Sequence, residues 1–251
     1  MLNIVIPMAG RGSRFAKEGY KEPKPLIQIG NKRMIEVVVN NLKPECDHRF
    51  IFVCQNEHLI EYNYKSELER IAPGCIIVGI DGITEGAACT VMKAENYINN
   101  DEPLMIANSD QWVDIDINEY LAYMDKNHLD GLIMTMKADD PKWSFAKVNN
   151  DNLVTSVVEK VVVSDEATVG IYNYRSGREF CRHVKQMINN DERSNGEFYV
   201  APVYTYMYEQ DGARIGIFNV GSEADGMYGL GTPSDLELFK TLPVFSKSIK
   251  F

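Results

Sequence analysis

Short apolar runs alternate with stretches of helical period from the start of the chain. Leu2–Pro7, Arg49–Cys54, Cys75–Ile80, Leu104–Ala107 and Gly131–Met136 have the length and the β-branched, aromatic character of buried strands. Met34–Leu42, Glu61–Ile71, Gly86–Ile98 and Ile117–Asn127 lie between them and predict helices, the first two stopped by Pro44 and Pro73. Strands separated by helices of this length imply βαβ units and a parallel sheet. From Phe145 the texture changes. Phe145–Val148 and Val154–Val158 flank Asn149-Asn150-Asp151-Asn152, a hairpin turn. Thr168–Tyr174 and Arg214–Val220 read as further strands, and Ser176–Ile188 and Glu197–Tyr208 as helices. Thr232 then caps a last helix with Pro233 in its first turn. The pattern predicts an α/β half with a mixed-sheet second half packed on it.

Composition narrows this picture. The chain has 251 residues, 45% of them hydrophobic, enough for a full core in one domain. No apolar run approaches the ~20 residues of a membrane span, and the N-terminus lacks a signal-peptide layout. A formal net charge of −10 argues against a nucleic-acid surface. The five cysteines (Cys46, Cys54, Cys75, Cys89, Cys181) form no Cys-x-x-Cys pair and read as reduced, mostly buried thiols of a cytoplasmic protein. His48, His58, His128 and His183 have no metal-ligand spacing, which argues against zinc.

The candidate chemistry gathers where strands end. Ile4-Val5-Ile6-Pro7 runs into Met8-Ala9-Gly10-Arg11-Gly12-Ser13-Arg14, so a glycine–arginine loop sits at the carboxyl end of a buried strand, where open α/β sheets bind ligands. Two glycines let bare N–H groups of the loop approach a phosphate. Arg14 and Lys24 add fixed positive charge, and Pro23 and Pro25 restrict the backbone around Lys24. A tight β–α connection is the plainer reading of Gly-x-Gly alone. A dinucleotide loop would need a third glycine near Phe15, and a Walker loop Gly-Lys-Ser/Thr; the chain has neither.

Asp110 follows the strand Leu104–Ala107, on the same rim as the glycine loop. It could hold Mg²⁺ through one oxygen while phosphate oxygens and water complete the octahedron, or form an Asx-turn at a β–α corner. Asp114-Ile115-Asp116 also spells a metal pattern, but Asp116 precedes a helix and reads first as its N-cap. The turn Asp81-Gly82-Ile83-Thr84-Glu85-Gly86-Ala87-Ala88 can lay backbone amides and carbonyls against a planar base, with Asp81 accepting from the base edge and Thr84 as N-cap. Glu159-Lys160 ends a strand and offers an acceptor for sugar hydroxyls and a point charge for phosphate; an exposed ion pair is the plainer reading of that spacing.

Taken in order, these segments resemble the sugar-nucleotide pyrophosphorylases, also called sugar-1-phosphate nucleotidylyltransferases. Gly10, Gly12, Arg14 and Pro23-Lys24-Pro25-Leu26 match the family's opening signature. Gly30-Asn31-Lys32-Arg33-Met34-Ile35 is similar to its next turn and helix start. Thr84-Glu85-Gly86-Ala87-Ala88 is similar to its base-contacting turn, Ser109-Asp110 to its metal-binding Gly-Asp, and Val158-Glu159-Lys160 to its sugar-binding strand. Ala167-Thr168-Val169-Gly170-Ile171-Tyr172 resembles the strand behind the sugar pocket, and Gly231-Thr232-Pro233-Ser234-Asp235-Leu236 the closing helix.

The resemblance implies a Rossmann-like three-layer α/β/α fold with a mixed, mostly parallel central sheet, in one domain spanning 1–251. Residues of about 1–140 would form the nucleotide half, and 141–251 the acceptor half. It implies a Mg²⁺-dependent nucleotidyltransferase that joins an NTP to a phosphorylated metabolite, a sugar 1-phosphate first, releasing pyrophosphate for polysaccharide or glycoconjugate synthesis. Met8, Ala9, Gly10, Gly12, Ser13, Asp81, Gly86 and Ala87 would bind nucleotide, with Arg14 and Lys24 catalytic. Glu159, Lys160 and Gly170 would bind the acceptor, and Asp110 the metal.

No membrane or nucleic-acid partner is implied, and a homo-oligomer is compatible with the chain. One departure stands out: the family's second metal-binding Asp falls on Gly229, and Asp225 is four residues displaced from that place. The chain also ends soon after the last helix, without room for the β-helical module some relatives append. A glycosyltransferase of related fold, which would release a nucleoside diphosphate, and a non-catalytic nucleotide sensor remain the alternatives. The base and the acceptor stay open, phosphorylated amines and polyols included.

Overall fold

The computed structural model describes residues 1–251. Strands β1 (Leu2–Pro7), β2 (Gln28–Ile29), β3 (Lys32–Arg33), β4 (His48–Gln55), β5 (Ile76–Ile80), β6 (Leu104–Ala107), β7 (Gln111–Val113) and β8 (Gly131–Lys137) share the first half with seven helices. These are α1 (Ser13–Lys17), α2 (Met34–Leu42), α3 (Asn56–Glu61), α4 (Tyr64–Ile71), α5 (Ala87–Met92), α6 (Glu95–Ile98) and α7 (Ile117–Lys126). The remainder adds β9 (Ser144–Val148), β10 (Val154–Glu159), β11 (Glu166–Tyr174), α8 (Gly177–Asn189), α9 (Val203–Asp211), β12 (Ile215–Glu223), β13 (Gly226–Gly229), α10 (Pro233–Thr241) and α11 (Phe245–Ser248).

One sheet runs through the molecule in the order β5-β4-β1-β6-β11-β8-β12-β13-β7, with the β9–β10 hairpin attached to β11. Along this path β11 opposes both its neighbours and β7 opposes β13, while the other pairs are parallel. Side-chain alternation explains the layers. Ile4, Ile6, Phe50 and Phe52 enter one core with residues of α2, α4 and α7; Val5, Ile51 and Val53 enter the other with residues of α5, α8 and α9. The result is the three-layer α/β/α arrangement with a mixed, mostly parallel sheet. A third cluster joins Phe15, Ile27, Trp112, Leu230 and Phe239, and so ties the first loop to β7 and the C-terminal helices.

The chain winds from β1 outward to β4 and β5, then returns to place β6 on the other side of β1. That reversal leaves a crevice beyond the carboxyl ends of β1 and β6, the place where open α/β sheets take ligands.

Four expectations need correction. The helix expected over Glu61–Ile71 starts only at Tyr64 as α4, set off from α3, which ends at Glu61, where Asn63 turns left-handed at φ 49°. The helix over Gly86–Ile98 is two, α5 and α6, interrupted at Lys93 and Ala94. Helix α9 starts at Val203 instead of Glu197, because Phe198 spends its backbone groups on another loop and Pro202 disfavours helix just before it. All five cysteines are free, but only Cys54 and Cys181 are buried; Cys75 and Cys89 are half-buried and Cys46 is exposed. Thr232 does cap α10, its hydroxyl accepting from Asp235 N at 3.1 Å.

Candidate active site

The loop after β1 is held in place from three sides. Met8 N donates to Val53 O at 2.9 Å. Gly12 has φ 58°, and a Cβ there would stand 3.4 Å from Lys24 Cβ, so the loop and the Pro-Lys-Pro segment pack against each other. Gln55, buried at the end of β4, donates to Ala9 O at 2.6 Å and to Gly82 O at 2.7 Å. One amide thereby ties the glycine loop to the 81–88 turn and satisfies the buried Ala9 carbonyl. Sequence reasoning missed Gln55, although a polar residue closing an apolar strand is a signal for it.

Across the crevice, Lys24 Nζ lies 2.7 Å from Asp110 Oδ2, both side chains about 24% exposed. The Pro-boxed lysine and the strand-end carboxylate therefore meet. Gly231 makes room for this carboxylate, since a Cβ there would stand 2.7 Å from Asp110 Oδ2. Arg14 is not part of that contact; it stands exposed on α1, lining a surface cleft with Lys17, Pro233 and Ser234.

A cavity of about 280 Å³ opens into the crevice, with Pro7 and Ile106 at the ends of β1 and β6 in its lining. Ala87, Glu159, Lys160 and Gly170 line it together with Asn108, Lys142, Trp143 and Tyr199. Gly170 has φ 83°, and a Cβ would fall 2.0 Å from Asn108 Nδ2. This close approach sits where the β11–β8 register shifts, between Thr168 and Tyr172. Glu159 is buried, and desolvation pushes its carboxyl above the ordinary range, against the opposing pull of the Ser144 hydroxyl, which donates to Oε1 at 2.5 Å, and of Lys160. Lys160 turns left-handed at φ 56° and sends its ammonium over the Tyr199 ring, 5.8 Å from the centroid. The exposed Glu159–Lys160 ion pair is not formed, because the carboxylate faces inward and the ammonium lies over Tyr199.

The other candidates separate. Asp81 is exposed and accepts from Asn56 Nδ2 at 2.8 Å. Thr84 is not an N-cap: Gly86 holds that position at φ 131°, and the Thr84 hydroxyl donates to Gly86 O at 3.0 Å. Asp116 caps α7, accepting from Asn118 N at 2.8 Å, while Asp114 pairs with Lys247 away from Asp110. Asp225 lies in the turn between β12 and β13, its carbonyl taking Ser222 N at 2.7 Å. Around Gly229 there is open space; a Cβ would meet only the Asp235 carboxylate, at 3.9 Å. Elsewhere Glu179, His183 and Asp211 gather, but Arg182 already donates to both carboxylates.

A strand-end carboxylate beside the crevice is a hard oxygen donor of the kind Mg²⁺ takes when substrate phosphates and waters supply the remaining ligands. Asp110 fits that description.

Fold and crevice together define a nucleotide-binding α/β transferase architecture. The sequence model of the nucleotidyl transferase family matches residues 4–209, and the chain belongs to that family. It is 25% identical over 183 residues to the mannose-1-phosphate guanylyltransferase catalytic subunit beta of Dictyostelium discoideum, covering 68% of this chain and 49% of that one. It is 26% identical over 162 residues to the bifunctional protein GlmU of Methanococcus vannielii, covering 63% of this chain and 35% of that one. The chain thus spans about half the length, or less, of these curated relatives. Among solved structures, a nucleoside-diphosphate-sugar pyrophosphorylase from Vibrio cholerae superposes with a TM-score of 0.79 at 23% identity, over 95% of this chain and 100% of that one. A structure described as a putative glucose-1-phosphate thymidylyltransferase from Bacillus anthracis gives 0.75 at 19% identity, over 100% and 97%. These two likenesses are of fold.

Proposed function

We propose that this chain transfers a nucleotidyl group from an NTP to a phosphorylated metabolite, a sugar 1-phosphate in the first instance, with release of pyrophosphate. The observation that carries the reading is the Lys24–Asp110 contact across the β1/β6 crevice, with the Glu159–Lys160 cavity opening into that crevice. The named relatives that act on mannose 1-phosphate support the acceptor class. A phosphate oxygen of the acceptor attacks the α-phosphorus, the α–β bridging P–O bond breaks, and pyrophosphate leaves with its electron pair. That oxygen is already anionic near neutral pH, so no general base is required. Rate enhancement reduces to in-line positioning and neutralisation of charge on the leaving group.

In this reading Met8, Ala9, Gly10, Gly12 and Ser13 present loop backbone to the triphosphate, and Arg14 and Lys24 neutralise it. Asp81, Gly86 and Ala87 receive the base. Lys160 steers the acceptor phosphate, Glu159 accepts from its hydroxyls, and Gly170 leaves the wall of the cavity open. Asp110 would hold Mg²⁺, which supplies charge neutralisation at the phosphates. Residues 1–140 would then serve the nucleotide and 141–251 the acceptor. The reaction belongs in the cytoplasm, where NTPs are abundant and free thiols stay reduced. No helix here is long and apolar enough to cross a membrane.

The test is a screen of GTP, UTP, CTP, ATP and thymidine triphosphate against hexose 1-phosphates, phosphorylated amines and polyols, read by pyrophosphate release. One pair standing well above the others is the expected result. Release of nucleoside diphosphate in place of pyrophosphate would point to a glycosyltransferase. Tight NTP binding without turnover across the whole panel would point to a sensor.

A further inference from the structure

Residues 190–202 follow α8 without regular structure, and most of their side chains are exposed. Phe198, Val200 and Ala201 are the exceptions, and the backbone of Phe198 is woven into the 81–88 turn: Phe198 N donates to Glu85 O at 2.8 Å, and Ala88 N donates to Phe198 O at 3.0 Å. The two bonds straddle Gly86, and any Cβ at Gly86 would stand 2.4 Å from Phe198 O. The close approach therefore requires glycine at φ 131°. Arg193 closes the same clasp from outside. Its guanidinium lies 4.2 Å from the Phe198 ring centroid and pairs with Glu85 at 2.5 Å. The next residue along, Tyr199, lines the cavity and lies beneath the Lys160 ammonium, and Val200 and Ala201 continue the lining.

We infer that residues 193–201 form a strap coupling the nucleobase turn to the acceptor cavity, with Arg193 and Phe198 as positioning residues. This rests on the proposed assignment of the two half-sites. A base seated against residues 85–88 fixes the Phe198 clasp, and through it the Tyr199 ring and the ammonium above that ring. Filling the acceptor cavity fixes the same segment from its other end. Phe198, Val200 and Ala201 are buried in the same core as residues of α5 and α8, so the turn and the cavity wall share one packed segment. Coupling between sites is reciprocal, so loosening the strap must weaken both substrates together.

The experiment combines kinetics with hydrogen exchange on the whole chain. With the best NTP–acceptor pair from the screen, Arg193→Ala raises the KM of both substrates together, by about 5-fold at the lower end of ordinary coupling. Its Tm stays close to that of the parent, because Arg193 is a surface residue. Arg193→Lys, which keeps a cation for Glu85 and for the Phe198 ring, leaves both KM values close to those of the parent. Nucleotide with Mg²⁺ slows exchange in residues 81–90 and in 193–201 of the parent, but only in 81–90 of Arg193→Ala. A rise in the NTP KM alone, or protection of the turn without the strap in the parent, overturns the inference.

If no pair in the screen turns over, the proposed function fails first and the strap is read on the protein alone. Arg193→Ala must then speed exchange of the Ala88 amide and of residues 197–201 together. Independent changes in the two segments overturn the strap.

Discussion

The crevice and the cavity each present one carboxylate from the end of a strand, and the two are built oppositely. Asp110 stands partly open to solvent and is met by an ammonium at 2.7 Å. Glu159 is buried and receives a hydroxyl at 2.5 Å, and desolvation raises its pKa. An open carboxylate with a lysine counter-charge is suited to exchanging that lysine for another cation. A buried one is suited to uncharged donors such as sugar hydroxyls, which bring no charge that would need solvating. On the proposed assignment, the same residue chemistry would yield a cation site on one side and a hydroxyl site on the other, decided by burial and partner.

Breaking the crevice should have the largest effect. Asp110→Asn keeps the shape but removes the charge, and Mg²⁺-dependent pyrophosphate release should fall to background while circular dichroism stays that of the parent. Unchanged Mg²⁺ dependence would remove Asp110 from the site. Arg14→Ala should cost on the order of 10²–10³ in turnover, by analogy with losing one oxyanion donor. Near-normal turnover would leave Arg14 as a surface residue of α1, where its exposed position lies apart from the Lys24–Asp110 contact.

How legible these two regions are in the amino-acid sequence also differs. The crevice is readable because its requirements are local: Gly12 needs φ 58°, prolines flank Lys24, and apolar runs fix where β1 and β6 end. The cavity is less so. Glu159 and Lys160 are visible as a pair, but only the packing turns one inward and sets the other over Tyr199. Gln55 and Phe198 act through tertiary bonds to loops distant in sequence, which periodicity does not report. The apolar, aromatic run of Glu197–Tyr208 reads as helix for the same reason, since the demand of the 81–88 turn on Phe198 overrides it. Strands β2, β3, β7 and β13, two to four residues long, are too short to carry a period.

Gly229→Asp sharpens the comparison by placing a carboxylate where the family pattern carries its second metal-binding Asp. A Cβ fits there, with only the Asp235 carboxylate at 3.9 Å to repel it. The added hard ligand should lower the Mg²⁺ concentration for half-maximal turnover by roughly tenfold, about 1.4 kcal/mol. An unchanged Mg²⁺ requirement would mean that the metal demand of the crevice is met without position 229.

Glu159→Gln probes the cavity side and has the smallest effect on the fold. The amide keeps an acceptor for Ser144 but loses the charge, so the acceptor KM should rise roughly tenfold, the worth of one charge-assisted hydrogen bond. Stability should move the other way. A carboxyl whose folded pKa is raised holds its proton more tightly in the folded state, so the parent loses stability as pH rises from the ordinary carboxylate pKa through the raised one. Glutamine carries no such penalty. The Tm of the variant relative to the parent should therefore rise across that window and level off above it, with the two proteins nearest each other at the acid end. A relative Tm that falls with pH would show that Ser144 and Lys160 stabilise the charged form by more than burial costs it, and the contrast between the two carboxylates would disappear.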